Sequence, residues 1–297
     1  MRISIQSFLP TLAAALVLAV VGCGGGSRQT EVPLPSGTVT QVITSGLQSP
    51  KHITFDPSDN LYVANSGGNN VLKFDSNGQT TNFAVQSLLS IPFGIAYGGN
   101  NYNSNGYLFV SDSAGIQQIN SAGSVNPYES NLTNAYGIAF DSSSNLYVAE
   151  QSTNIIDKTV NGATVSPHYI TSAGGWPTGL AVSGNNMYVS NWNPGGANLL
   201  KFDLTAVTST SIATGLPSTN GIAVDKSGNV FVVANWDVAA CNSTIKKITP
   251  SGTITDFPII STASISVTKC QWAGIAINSK GYIFVSAGDN KIYKFAP

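Results

Sequence analysis

Apolar and polar positions alternate in short runs along most of this chain, and the runs resemble one another. "NLYVAN" at 60–65, "NLYVAE" at 145–150 and "NMYVSN" at 186–191 each send successive side chains to opposite faces, as strands do. A glycine, a second apolar stretch and a polar turn precede the run, as in "YGIAFDSSSNLYVAEQ" at 136–151 and "NGIAVDKSGNVFVVANW" at 220–236. Amphipathic runs of ten or more residues are missing, and Gly, Asn and Ser interrupt too often for helices. The pattern predicts an all-β chain.

The phrase returns at a nearly fixed interval. Its glycine position falls at His52 (in "HITFD", where His replaces Gly), Gly94, Gly137, Gly179, Gly221 and Gly274, at spacings of 42, 43, 42, 42 and 53. A period near 42 is the length of a four-stranded propeller blade, which buries its faces only by stacking on its neighbours. The third unit shows the four strands as "GIAFD", "NLYVAE", "IIDKTV" and "VSPHYIT", with turn chemistry between them. The last unit stops at Pro297 after its third strand, while "SGTVTQVIT" at 36–44 precedes the first unit as "SGTITDFPIIS" at 251–261 precedes the sixth. We therefore expect a six-bladed β-propeller over 37–297 whose N-terminal strand completes the last blade and removes the open edges.

Composition narrows the function. Charged residues are 9% of the chain and the net charge is −1, which gives no electrostatic footprint for nucleic acid or an acidic lipid surface. With two histidines a three-His zinc site is excluded. Phosphate loops, nucleophile elbows and Cys-x-x-Cys pairs are absent from the sequence. The chain opens on Met1-Arg2, an apolar run from Phe8 to Val21, and Val20-Val21-Gly22-Cys23, which is the pattern of a secretion signal over 1–22. Its end resembles the bacterial lipobox, which implies cleavage before Cys23 and acylation there. Residues 23–36 then form a Gly/Pro/Ser tether, and the expected location is the bacterial cell envelope, with the membrane met through the lipid alone.

The phrases "HITFDPSDNLYVANSGGNNVLKFDSNG" and "GIAFDSSSNLYVAEQSTNIIDKTVNG" resemble NHL repeats, and the resemblance covers essentially all of 37–297. It departs by having Asn or Glu at most of the family's usual Asp positions and by lacking the Arg that often follows. Two other propeller families share the architecture. The gluconolactonase and senescence-marker type would imply a central divalent ion such as Ca²⁺ on Asp112, Glu150 and Asn220, and a hydrolase. The virginiamycin B lyase type has a similar repeat texture, but its His and Glu pattern finds no counterpart here.

Strand a runs away from the face that carries the d–a and b–c connections, which we call the top. Residues ending strand b and starting strand a should line its channel mouth as a polar ring: Asn65, Asp112, Glu150, Asn191, Asn220 and Asn235. These side chains suit either an ion or the anchoring of the top turns. All four tryptophans fall in top-face connections, Trp176 and Trp272 before strand a, Trp192 and Trp236 after strand b. With Tyr136 and Phe93 they predict an aromatic site for a protein, peptide or carbohydrate ligand. Cys241 and Cys270 lie in neighbouring top loops and should pair in an oxidising compartment. The expectation is thus a monomeric binding or scaffolding module without a cofactor; the hydrolase is the alternative and a lyase the second one.

Overall fold

A computed structural model describes residues 33–297, apart from 77, 85–88, 99–105, 131, 133, 161–162, 171–174, 194–196 and 235–240. Six four-stranded antiparallel sheets follow one another in chain order. Blade 1 holds Pro50–Phe55, Leu61–Asn65, Asn70–Phe74 and Thr80–Ala84, and blade 2 holds Ile95–Tyr97, Leu108–Asp112, Gly115–Ile119 and Val125–Glu129. Blade 3 is Ala135–Phe140, Leu146–Glu150, Ile155–Val160 and Ala163–Ile170. Blade 4 is Trp176–Ser183, Asn186–Trp192, Ala197–Asp203 and Thr208–Leu216, and blade 5 is Thr219–Val224, Val230–Ala234, Thr244–Ile248 and Ile254–Asp256. Blade 6 takes Ile275–Ile277, Ile283–Ala287 and Lys291–Phe295 from the C-terminal end and Val39–Ile43 from the N-terminal end. The expected closure is present, with Val39 opposite Phe295 and Ile43 opposite Ile292.

The core lies between blades rather than within them. Six clusters of buried apolar residues each draw on two adjacent blades, for instance Tyr147 and Ile156 of blade 3 with Val189 and Phe202 of blade 4. Strand b supplies residues to both sides: Val148 packs toward blade 2 and Tyr147 toward blade 4. Alternation within a fully buried strand is therefore a division of labour between two interfaces.

Near the axis the inner strands approach so closely that side chains are excluded. A Cβ on Gly137 would lie 2.6 Å from the Thr178 carbonyl oxygen, and one on Gly221 2.5 Å from that of Ala273. The same holds for Gly179 against Asn220 and Gly274 against Lys51. The repeated glycine is thus a packing requirement of the ring. At the far end of strand a, Asp56, Asp141 and Asp225 close the hairpins. Each accepts the backbone N–H groups two and four residues on and the carboxamide N–H of Asn60, Asn145 or Asn229. These are local turns.

Candidate functional site

The top mouth of the channel is built from the two residues that begin the inner-strand phrase. Between them and the strand b opposite, the register shifts in four blades, at Pro50/Ile53, Ala135/Ile138, Pro177/Gly179 and Thr219/Ile222. Such bulges re-aim side chains at the rim of a sheet. Blade 1 alone carries a side chain where the other five have glycine, and that side chain is His52.

His52 is buried, and its Nε2 lies 3.2 Å from Oδ1 of Asn220, 168 residues away in blade 5. With Oδ1 facing the ring, His52 is assigned the tautomer with its proton on Nε2, donating to the amide oxygen. Phe93 packs against it at 5.0 Å between centroids with the planes tilted by 54°, and Tyr136 against Phe93 at 4.0 Å and 48°. Lys51 holds its ammonium 5.8 Å from the centre of the Phe93 ring. These five residues from blades 1, 2, 3 and 5 form a throat.

Its electrostatics follow from burial. Desolvation pushes the His52 pKa down to about 4, against the raising effect of the Asn220 hydrogen bond and with a further lowering from the Lys51 charge. The ring is therefore neutral at pH 7. Burial also lowers the Lys51 ammonium below its ordinary value and raises the Tyr136 phenol. Asn220 is fully buried, and its Nδ2 has no hydrogen-bond partner.

Above this throat, at the inner edge of blade 4, Trp176 and Trp192 face each other across strands a and b. Their rings stack at 4.8 Å with an angle of 18° between planes, and Trp176 is 45% exposed. Trp272 is different. It is 0% exposed, donates its Nε1–H to the Thr268 carbonyl at 2.9 Å, and packs near Tyr293 and Phe295 in the interface of blades 5 and 6. The expected ligand contact by Trp272 is therefore corrected: it is a core residue. The reason is phase. Trp176 stands three residues before its glycine, where Ser49, Ile91 and Asn134 are also exposed; Trp272 stands two before, where Pro50, Ala135 and Pro177 are buried. Phe93 and Tyr136 likewise belong to the throat, not to a rim of indoles. Trp236 and Asn235 lie outside the described residues, as do Cys23 and the leader.

The residues that end strand b anchor loops. Asn65 accepts from the Gln48 N–H at 2.6 Å and donates to Asn70 and to the Gly46 carbonyl. Asp112 accepts from Ser90 and Ala114 N–H and from Gln117 Nε2. Glu150 Oε2 accepts from Thr153 at 3.0 Å, and Asn191 Nδ2 donates to the Asn198 carbonyl. Among the described residues no three His, Cys, Asp or Glu side chains gather as ligands for an ion. The Asp112 carboxylate oxygens already accept from the Ser90 and Ala114 N–H groups, and Glu150 from the Thr153 hydroxyl. At the edge of the same face Cys241 and Cys270 form a disulfide, as their loops implied.

No protein-family profile matches the sequence, and no curated protein does. Solved structures do share the fold. Virginiamycin B lyase from Staphylococcus aureus is similar at 14% identity over 86% of this chain and 98% of that one, with a TM-score of 0.63. A gluconolactonase from Xanthomonas campestris is similar at 11% identity over 84% of this chain and 86% of that one, with a TM-score of 0.65. The PQQ-bound aldose sugar dehydrogenase of Streptomyces coelicolor is similar at 14% identity over 87% and 97%, with a TM-score of 0.62. At these identities the likeness is one of fold. The solved relatives are six-bladed propellers and enzymes, and the NHL resemblance stays at the level of repeat texture.

Proposed function

We propose that this chain is a ligand-binding module of the bacterial cell envelope, held by lipid at Cys23, whose top face seats a carbohydrate. One observation carries the reading: the stacked Trp176–Trp192 pair, with an exposed indole beside the channel mouth. Two stacked indoles form a flat, preordered platform, and a sugar ring presents the matching apolar face with hydroxyls left for neighbouring amides. A large exposed apolar ring of this kind loses contact with water only when a partner covers it. The low charge of the chain suits a neutral or weakly charged ligand.

Titration of the soluble chain with cellohexaose, chitohexaose and maltohexaose should quench or shift tryptophan fluorescence saturably with at least one of them. Trp176→Ala and Trp192→Ala should abolish the change while the fold persists. A response unaffected by either substitution sinks the platform, and a response to short peptides alone replaces carbohydrate by peptide. The anchor is checked separately: Cys23→Ala should move the protein from the detergent to the aqueous phase, and a wild-type protein already free of lipid refutes it.

A second reading is an enzyme working through the same throat, as a lyase or hydrolase like the solved relatives. What favours it is the position of His52, an imidazole at the channel mouth held to Asn220 across the ring, although its lowered pKa makes it a weak base. His52→Gln would separate the two, since binding at the platform survives it and turnover through the imidazole does not.

A further inference from the structure

Among the described residues two buried polar atoms at the top of the channel lack a partner, Asn191 Oδ1 and Asn220 Nδ2, and of these only Asn220 offers a donor. The cavity of about 400 Å³ at the opposite mouth is lined by Asp56 and Asp225, yet both carboxylates are engaged by their own turns. At the top, Asn220 is 0% exposed, turns its Oδ1 to His52, and leaves Nδ2 with two donor hydrogens and no acceptor. A donor kept in that state costs stability, and a ligand acceptor recovers it.

The surroundings specify the acceptor. Lys51 brings a cation to the same throat, beside the Phe93 ring and next in sequence to His52. His52 adds no second positive charge, because its ring is neutral at pH 7. Among the described residues of the throat Lys51 is the one cation, a charge that suits a monoanion better than a dianionic phosphate. The rings of His52, Phe93 and Tyr136 pack on one another at tilts of 54° and 48°, a continuous aromatic wall against which a flat group can lie. A planar carboxylate has two oxygens to divide between an amide N–H and an ammonium, and such charge-assisted bonds are the stronger kind. Trp176 lies two residues before Thr178, the blade-4 member of the inner ring, so platform and throat belong to one mouth.

We propose that the throat is a carboxylate seat, formed by Asn220 Nδ2 and Lys51 Nζ under the Trp176–Trp192 platform, and that the ligand is a carbohydrate bearing a uronate. This rests on the carbohydrate reading of the platform and names the chemical class within it. No bond is made or broken in the step. The carboxylate exchanges water for the two donors while the sugar body covers the indole.

The test compares cellobiouronic acid, which has one carboxylate, with its neutral parent cellobiose. The readouts are calorimetric affinity and the imidazole NMR signals, which come from two histidines only. The acid should bind about ten-fold or more tightly than cellobiose, the difference expected of one charge-assisted pair, and should shift the His52 signals saturably. Lys51→Met should bring the two affinities together, and Lys51→Arg should keep them apart. Equal binding of acid and neutral sugar to the wild-type protein, or an unmoved His52, overturns the seat without recourse to any variant. If cellohexaose still binds through Trp176 in that case, the platform stands and the seat alone falls. If no saccharide binds the wild-type protein, the platform fails and the seat falls with it.

Discussion

At the residue scale the decisive side chain is His52, because it occupies a position that the ring otherwise reserves for glycine. Its folded pKa of about 4 lies below the ordinary 6.5. Between those values the unfolded chain binds a proton that the native ring refuses. Stability that is fully present above pH 6.5 is therefore lost as the pH falls toward 4, by about 3 kcal/mol for this group. Urea unfolding of wild type and His52→Gln at pH 7 and pH 4 checks this. Carboxylates titrate in both proteins and cancel, so the acid loss should be smaller in the variant by roughly that amount; equal losses would mean that the ring is already protonated when folded. The sequence showed that His52 breaks the Gly pattern but gave no sign of its partner. Asn220 stands 168 positions away, and only closure of the ring brings the two together. Trp272 was misplaced for a different reason. A loop residue has no strand alternation to fix its phase, and one step separates the exposed position of Trp176 from a buried one.

At the element scale, most of the hairpin chemistry was legible, since Asp-x-x-x-Asn is a local code. Asp141 binds Ser143 and Asn145 N–H, the Asn145 carboxamide, and also the Tyr147 hydroxyl at 3.1 Å. That arrangement, after burial, helps to raise the Tyr147 phenol above its ordinary pKa. Asp225 makes the same turn contacts, but its strand carries Phe231 where blade 3 has Tyr147. Asp141→Ala should accordingly cost about 1 kcal/mol more than Asp225→Ala, the worth of one hydrogen bond, in denaturant midpoints. Equal costs would show that the phenol finds water as readily as the carboxylate. What the pattern hid were the bonds between blades. Asn69, Asn154 and Asn290 turn left-handed after strand b and accept the N–H of Ile91, Gly175 and Ser49 on the following blade. Strand b also alternates around the ring: Ser111, Ser190 and Ser286 in blades 2, 4 and 6 donate to the next blade's Tyr136, Asn220 and Lys51 carbonyls, where the others carry Ala64, Ala149 and Val233. A search for a six-fold motif averages this three-fold one away.

At the scale of the whole molecule, stability rests on how the ring is shut. The N-terminal strand pairs with Lys291–Phe295 on one side, and on the other its Val39 N–H and the Gly37 carbonyl bond the Ile260 backbone. It also serves two interfaces at once, with Val39 in the core between blades 5 and 6 and Ile43 in the core between blades 6 and 1. Each of these side chains contributes about 1.5–3 kcal/mol when buried. The Cys241–Cys270 disulfide ties the blade-5 loop to the segment that leads into blade 6, but it cannot replace a strand. A chain lacking 37–45 should therefore melt far below wild type and aggregate through the bared edge of Lys291–Phe295. Because such a loss alone could follow from any damage, the informative measurement is rescue. A synthetic peptide of residues 36–44, SGTVTQVIT, added in excess should raise the melting temperature of the shortened chain saturably, since it binds the native state alone and restores the missing ladder. A scrambled peptide of the same composition should not. Rescue by both peptides, or a shortened chain that melts like wild type, would show that the other five blades close without this strand.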